Sequence, residues 1–294
     1  MCPKILIAKT IDGVGLTLSE KRSFISALQK EHSVRDICGI LGVNRSSLYY
    51  QPKADPSEEV LLAEIQKLAG AYPRYGYRRI RELLVRQGYT VGTRRVARLM
   101  RENHLRVSVT RVCRTTRSLQ GDKPWHNLIE TLEISHADQV WVADITYIRL
   151  KRHFVYLALL MDVFTRIIKA WQLGPHLNQT LTLKPLQEAF CHSVCEIHHS
   201  DQGVQYLSNA YIATLQAQGV EISVAHRGRP WENGYAERLI RTLKEEEVDI
   251  NDYQSITEAR DRIGHFIRQV YHQKRPHSAL GYLTPIEFQR KTLS

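Results

Sequence analysis

The stretch RPWENGYAERLIRTLKEEE, residues 229–247, decides the fold because a loop ends in it and a long helix begins in it. Pro230 and Gly234 are typical of a turn. The residues that follow place apolar side chains at helical spacing, with charged side chains between them. Five glutamates lie in the stretch, and the question is whether one of them has a chemical role or all five form a solvated helix face.

The segment before this helix has the pattern of β-strands. Strands are predicted over 141–150, 153–165 and 166–173, joined by short turns that favour an antiparallel meander. Helices at 180–193 and 208–219 then alternate with short strands at 196–200 and 220–225. We predict an α/β fold with a mixed five-stranded sheet and helices, and this order of elements is that of the ribonuclease H-like fold.

Three acidic residues stand out within that order. Asp144 lies inside an otherwise apolar strand, and Asp201 ends a short strand where Gly203 lets the chain turn. Glu237 shares a helix face with Lys244. The three acids are separated by 56 and 35 residues. Since a buried carboxylate is costly unless it is paired or binds a metal, Asp144 is predicted to do one or the other.

The other glutamates of the opening stretch have simpler interpretations. Glu232 is the rival to Glu237, but an acid near a helix N-terminus is favoured by the helix dipole alone. Glu245, Glu246 and Glu247 are expected to form a solvated face.

Charge divides the chain into two unequal parts. Residues 1–120 hold 22 Lys and Arg against 10 Asp and Glu, whereas residues 121–294 hold 19 against 20. The whole chain carries a net charge of +11. A basic half joined to a nearly neutral half favours a polyanion-binding region attached to something else, although a basic protein without such a role remains the alternative.

Residues 1–52 are predicted to form a helix-turn-helix module. Ser33 and Asn44 are candidate helix caps, and a Gly-containing turn precedes a short polar helix in which Leu48 packs inward. The residues expected to face a DNA groove are Arg45, Ser46 and Ser47. A small helical bundle that does not bind DNA is the alternative.

Residues 57–105 are predicted to form a second, arginine-rich helical module. Its arginines are too many for one core, so most must face solvent or phosphate. The residues expected to contact DNA phosphates are Arg78, Arg79, Arg94, Arg95 and Arg98. An arginine-rich solvated face is the alternative.

The rest of the chain is predicted to hold a basic linker (106–135), a catalytic core (136–250) and a helical C-terminal extension (251–294). The extension is expected to begin with a helix from 257 to about 272 and to end with a short helix after Pro285. Arg275 and His277 in it are candidates for contacts with DNA or a neighbouring subunit. A structural cap over the core is the alternative.

Composition excludes several classes of protein. No apolar run reaches the roughly 18 residues that a membrane span needs. Five cysteines without framework spacing fit a reducing cytosol better than a secreted disulfide protein. A zinc site at Cys191, Cys195, His198 and His199 is disfavoured, because neighbours on a strand point to opposite faces.

Together these motifs resemble the DDE transposases of the IS-three insertion-sequence family, within the retroviral-integrase superfamily. The matching text lies between about residues 72 and 290 and comprises YGYRRI, RVARLMRE, WVADITYI, HHSDQGVQY, ENGYAERLIRTLKEE and RPHSALGYLTPIEF. The resemblance implies a catalytic, metal-binding triad of Asp144, Asp201 and Glu237, and a DNA-contacting Lys244. The family usually has Asp-Asn-Ala where this chain has Glu232, Asn233 and Gly234.

The resemblance also implies an activity. Two Mg²⁺ ions, or Mn²⁺ in their place, would assist DNA strand cleavage and attack of a 3′-hydroxyl on a phosphodiester. The expected partners are the element's terminal inverted repeats, target DNA and further copies of the chain, in the bacterial cytosol. Two alternatives remain: a non-catalytic DNA-binding regulator derived from a transposase, and a nuclease of the same fold that cuts without joining.

Overall fold

The structure, a computed structural model, describes residues 18–30, 32–49, 56–105, 125–151, 153–226 and 228–293. The chain divides between Leu61 and Leu62 into two compact units, and each is described by itself. Within the described ranges, no helix combines the length and the apolar character that crossing a membrane requires.

Between residues 18 and 49, the described part of the smaller unit forms the helices α1 (Leu18–Leu28), α2 (Val34–Ile40) and α3 (Arg45–Tyr49). Ser33 caps α2, as predicted, because its hydroxyl accepts a hydrogen bond from the backbone N–H of Arg35 at 3.3 Å. Gly42, with φ of 61°, makes the turn into α3 in a conformation that favours glycine. The buried core is formed by Ile25, Ile37, Cys38, Leu41 and Val43. The short polar helix that was predicted after a Gly-containing turn is α3.

Three further helices precede the sheet: α4 (Pro56–Ala71), α5 (Tyr77–Arg86) and α6 (Thr93–Glu102). Helix α4 crosses the division, whereas α5 and α6 belong to the same compact unit as the sheet. Arg86 connects α5 to the C-terminal extension, because its guanidinium donates to both carboxylate oxygens of Glu287 at 2.9 and 3.0 Å. The arginine-rich helices are therefore attached to the C-terminal part of the chain.

The larger unit is built on one five-stranded sheet. Its strands are β1 (Val140–Arg149), β2 (Phe154–Asp162), β3 (Ile168–Gly174), β4 (Ile197–Ser200) and β5 (Glu221–Val224). The spatial order is β3-β2-β1-β4-β5. The pairs β1–β2 and β2–β3 are antiparallel, whereas β4 runs parallel to both β1 and β5. The predicted mixed sheet is confirmed, with strand ends displaced by a few residues.

Helices cover both faces of the sheet. Helices α7 (Gln179–Phe190) and α8 (Asn209–Ala217) pack in one buried cluster with Trp141 and Ala143. Helices α9 (Gly234–Glu246) and α10 (Ile256–His265) pack in the other with Val140 and Val142. Successive side chains of a strand point to opposite faces, so Asp144 lies on the α9 face of β1.

The C-terminal extension continues the α9 layer. After α10 the chain forms a π-helical turn (Phe266–Tyr271), a 3₁₀ turn (Ser278–Leu280) and α11 (Pro285–Leu293). Phe266 and Tyr271 belong to the same buried cluster as the α9 residues. The extension therefore covers the core, which is the alternative left open for it by the sequence.

The end of the predicted linker at 106–135 packs on the sheet. Residues 106–124 lie outside the described residues. Beyond them, the backbone oxygen of His126 accepts from Val224 at 3.0 Å, and the backbone N–H of Leu128 donates to Ser223 at 2.8 Å. Ile129 is buried in the core. Residues 126–129 were wrongly assigned to a linker, because they pair along β5 and fill the sheet's edge.

Candidate active site

Two of the predicted acids lie side by side because the parallel pairing of β1 with β4 ends directly before both of them. Ala143 of β1 is in register with Ser200 of β4. The next residues along the chain are Asp144, within β1, and Asp201, just past the end of β4. Both therefore follow directly after the last residues that pair between the two strands. Asp201 is held by the backbone N–H of Gly203, which donates to its Oδ1 at 2.9 Å. A Cβ at position 203 would meet that oxygen at 2.9 Å, so a residue with a side chain would displace the Asp201 carboxylate.

The third acid is brought to β1 by α9. A 3₁₀ turn at Pro230–Asn233 leads into the helix, and the Asn233 side chain donates to the backbone oxygen of Ala143 at 3.3 Å. This bond places the start of α9 beside Asp144. Glu237 follows in the first turn, and Lys244 lies two turns later, with Nζ 4.3 Å from the centre of the Tyr147 ring.

The electrostatics of Asp144 report this proximity. Burial, together with the negative charges of Asp201 and Glu237, raises the pKa of Asp144 to about 8. The Ile145 N–H, which donates to Oδ1 at 2.7 Å, and the charge of Lys244 act in the opposite direction. Burial also raises the pKa of Asp201. The site therefore concentrates negative charge that the protein itself compensates only in part.

A divalent cation is the group that such a site would take. Mg²⁺ prefers oxygen ligands, and all three acids supply carboxylate oxygens. A cation would also stabilise the ionised form of Asp144, whose pKa is raised by burial and by the neighbouring acids. Among the described side chains, however, no group of three or more His, Cys, Asp or Glu residues is arranged to hold a metal ion. The donor chemistry fits the metal, while the full ligand set stays a prediction.

Glu232, the alternative candidate to Glu237, is held in hydrogen bonds within the turn before α9. Its carboxylate accepts from the backbone N–H of His226 at 2.7 Å, from the His226 ring at 2.9 Å and from Arg229 at 3.3 Å. Partial burial raises its pKa, but these bonds outweigh burial and lower the pKa to about 2. Glu232 therefore fixes the turn that leads into α9.

The two histidines beside Asp201 are buried structural residues. The Tyr211 hydroxyl lies 2.9 Å from Nε2 of His198, and Ser223 Oγ lies 2.8 Å from Nδ1 of His199. Burial lowers the pKa of His198 to about 3 and that of His199 to about 4, so both rings are neutral near pH 7. They point to opposite faces of β4, and each ring is held by a hydroxyl group of a neighbouring element.

The prediction of a solvated Glu245–Glu247 face is wrong for two of its three members. Glu246 is paired with Arg79 and Arg275, and its side chain is 7% exposed. Glu247 accepts from the Tyr253 hydroxyl at 3.1 Å. The partners of Glu246 lie far away in sequence, and that of Glu247 lies beyond the end of α9, so helical periodicity carries no sign of them.

Arg79, predicted to contact DNA, points instead into the protein. Its Nη1 donates to Glu246 at 2.9 Å, and its side chain is 20% exposed. Arg275, a candidate for DNA or subunit contacts, is buried and donates from Nε and Nη2 to Glu246, at 2.8 Å each. His277 is buried beside Arg275. The two arginines have a structural role, because a charged group inside the protein requires a partner there.

The remaining DNA-contact predictions stay predictions. In α3, Arg45 and Ser46 are exposed and Ser47 is half-buried, while Leu48 packs on the small core as expected. In α5 and α6, Arg78 and Arg94 are exposed and Arg95 is half-buried. Arg98 forms a surface pair with Glu102 at 2.9 Å.

Family comparisons agree with this architecture. A model described as an integrase core domain matches residues 135–230, and a second model with the same description matches residues 218–285. A model described as an HTH-like domain matches residues 56–112.

Similar curated proteins cover most of the chain. A 31 kDa protein of insertion element IS600 from Shigella sonnei is 33% identical over 87% of this chain and 98% of its own length. The transposase for insertion sequence element IS904 from Lactococcus lactis is 30% identical, with 81% and 96% covered. Transposase InsF for insertion sequence IS3A from Escherichia coli is 29% identical, with 93% and 100% covered.

The solved structures found include two integrase cores. The catalytic core domain of BIV integrase gives a TM-score of 0.42 at 16% identity and covers 53% of this chain and 96% of that one. The HTLV-2 integrase catalytic core domain in complex with magnesium gives 0.40 at 15% identity, with 51% and 95% covered.

Proposed function

The chain belongs to the transposase family of the IS-three insertion sequences, and we propose that it binds its element's terminal inverted repeats, cuts DNA there and joins the resulting 3′ ends to target DNA. It is a DNA transposase with an integrase core of ribonuclease H-like fold and an HTH-like domain. The finer statements about ends, metal ions and assembly are our proposal.

One observation carries the chemical part of this proposal. Asp144 is flanked by Asp201 through the β1–β4 register and by Glu237 through the docking of α9 on Ala143. Both neighbours raise the pKa of Asp144, as carboxylates sharing one site do. A structural role would not require acids from three separate elements to lie within electrostatic range of Asp144.

Each side chain has a distinct task in the proposed reaction. Asp144, Asp201 and Glu237 would hold two Mg²⁺ ions, with Mn²⁺ able to substitute. A pair of such ions activates the attacking oxygen and stabilises the departing one. Glu237 has the longest of the three acidic side chains, and we propose that it adjusts to complete the ligand set. Asn233 keeps α9 against β1, and Gly203 keeps Asp201 in place.

Lys244 is proposed to bind a phosphate next to the reacting bond. It lies on α9, and its positive charge lowers the pKa of Asp144, which places it within electrostatic reach of the site. Tyr147 lies against its ammonium group and limits its orientations. No nucleophilic side chain is required, because a DNA hydroxyl or water performs the attack.

The basic modules are proposed to hold the DNA ends. Arg45, Ser46 and Ser47 would enter a groove, and the exposed Arg78 and Arg94 would contact phosphates. Arg95 and Arg98 would contribute where their protein partners allow. Two ends must be joined in one complex, so we propose that the chain acts as a homo-oligomer on DNA, in the bacterial cytosol.

The test replaces one acid without changing its size. Asp201→Asn should lower strand transfer on end-containing DNA by about 100-fold or more in Mg²⁺ or Mn²⁺, because a metal ligand loses its charge. Asp261→Asn, an exposed position on α10, is the matched control and should retain activity. Full activity of Asp201→Asn rules the assignment out. DNA that is bound but uncut by the wild-type chain across a metal titration identifies a regulator instead.

A further inference from the structure

A basic cavity lies within the larger unit, behind the catalytic helix. Its volume is about 550 Å³. Tyr235, Arg238 and Thr242 of α9 line it, whereas Glu237 and Lys244 project on the opposite side of the same helix. The other walls come from α5, the β2–β3 turn and the C-terminal extension. The cavity is therefore separate from the Asp144 site.

The charge on its walls is not balanced. Four arginines line the cavity: Arg79, Arg166, Arg238 and Arg275. Glu246 compensates only two of them, because Arg79 and Arg275 share its single carboxylate. Glu232, the acid among the lining residues, is already held by His226 and Arg229.

His277 gives separate evidence of surplus positive charge. Burial and the positive charge of Arg275, with smaller effects of Arg79 and Arg166, lower the pKa of His277 to about 2. The His277 ring is therefore neutral beside the guanidinium of Arg275 and adds no positive charge to the cavity wall. An anion inside the cavity would be stabilised by the same arginines.

Aromatic side chains lie beside these arginines. Trp231 is 68% exposed and Tyr235 is 39% exposed, and both line the cavity. The guanidinium of Arg166 stacks over the Tyr235 ring at 4.7 Å from its centre. Guanidinium groups match phosphate geometry, and exposed aromatic rings stack on bases. Together they form the chemistry that recognises a nucleotide unit.

We propose that this cavity binds one phosphate of a DNA strand between Arg166 and Arg238, with the adjoining base against Trp231. The inference rests on the proposed function, since it supplies a second DNA contact on the side of α9 opposite the acids. A strand held there would fix the helix that carries Glu237 and Lys244. A free nucleotide offers the same phosphate chemistry, so the test must separate the two sources.

Binding is measured without metal, so that no reaction is needed. A fluorescein-labelled single-stranded oligonucleotide of about ten residues is titrated into the full chain in EDTA and followed by anisotropy. Arg166→Gln/Arg238→Gln should weaken binding by about 10-fold or more and reduce the salt slope of log K by about 0.7 for each phosphate that the protein no longer neutralises. Arg290→Gln/Lys291→Gln removes equal charge from α11, outside the cavity lining, and should change affinity less than about threefold.

Trp231 provides a local readout. The oligonucleotide should quench tryptophan fluorescence in the wild type but not in Trp231→Phe, whose anisotropy titration shows that it still folds and binds. Equal affinities of the arginine double variant and its control overturn the proposal. The DNA assignment is overturned if a nucleoside monophosphate or pyrophosphate quenches the fluorescence and the oligonucleotide does not compete with it for the cavity.

The two proposals can fail separately. Asp144→Asn should abolish strand transfer and leave oligonucleotide binding and quenching unchanged. If Asp144→Asn keeps full activity while the arginine double variant loses binding, the catalytic assignment fails and the cavity assignment stands. The reverse pattern overturns the cavity assignment alone.

Discussion

Replacing Glu246 by Gln should destabilise the larger unit much more than a surface change would. Its carboxylate accepts two hydrogen bonds from Arg275 at 2.8 Å and one from Arg79 at 2.9 Å. The exposed side-chain fractions are 7% for Glu246, 4% for Arg275 and 20% for Arg79, so solvent screens these charges little. Removing one partner of such a buried pair costs about 3–5 kcal/mol. We expect a loss of that size, because Gln leaves two guanidiniums without a counter-charge.

Urea unfolding at pH 7, followed by tryptophan fluorescence, measures this loss. All four tryptophans, at positions 125, 141, 171 and 231, lie in the larger unit, so the signal reports that unit. Glu245→Gln is the matched control, because it makes the same exchange at the adjacent position and should cost within about 0.5 kcal/mol. In a thermal scan, Glu246→Gln should lower Tm by at least about 6 °C for a unit of this size.

A double-mutant cycle with Arg79→Met tests the cause. If the pair acts as described, the two changes should couple by about 1 kcal/mol or more. The reasoning is refuted if Glu246→Gln costs no more than Glu245→Gln, or if the two losses simply add. Arg79→Met should also leave the salt slope of DNA binding unchanged, in contrast to an arginine that contacts phosphate.

Three further outcomes follow from the same structure. The pKa of Asp144 is raised from 3.8 to about 8, so in EDTA the folded state should lose stability as pH rises from about 4 to about 8. Asp144→Asn should remove this pH dependence in urea unfolding, and an unchanged profile would contradict the burial argument. Lys244→Gln should reduce the salt slope of DNA binding by about 1 with little change in the unfolding midpoint, and an unchanged slope would show that the lysine does not contact phosphate. Arg86→Met should lower the free energy of unfolding by no more than about 1 kcal/mol, because the side chains of Arg86 and Glu287 are 29% and 41% exposed. A loss of about 3 kcal/mol or more in urea unfolding would show that the pair is effectively buried.

The strands and the acids on them could be predicted because the signal is local. Residues 140–149 alternate between the two faces, and this period is readable without knowing what covers either face. Asp144 is conspicuous in that pattern as a charge among apolar neighbours. Helical spacing likewise placed Glu237 and Lys244 on one side of α9.

Charged residues without a local signal were the ones misjudged. Arg79 and Glu246 are 167 positions apart, and Arg275 lies 29 positions beyond Glu246. In the sequence, Arg79 and Glu246 each look like an exposed charge on an amphipathic helix, and Arg275 lies in the segment between two predicted helices. Glu247 was misjudged for a different reason, because its partner Tyr253 is only six positions away but lies beyond the end of α9, where helical spacing no longer applies.

The sequence by itself determined the order of helices and strands, the surplus of positive charge in the first half and the identity of three candidate acids. These are properties of neighbouring residues and of simple periods along the chain. Only the tertiary structure decided which charges meet. The β1–β4 register set Asp144 beside Asp201, and the packing of the C-terminal extension on α9 turned Glu246 inward and created the arginine-lined cavity. Pairing energies of this kind depend on distance and burial in three dimensions, and no local pattern of residues encodes them.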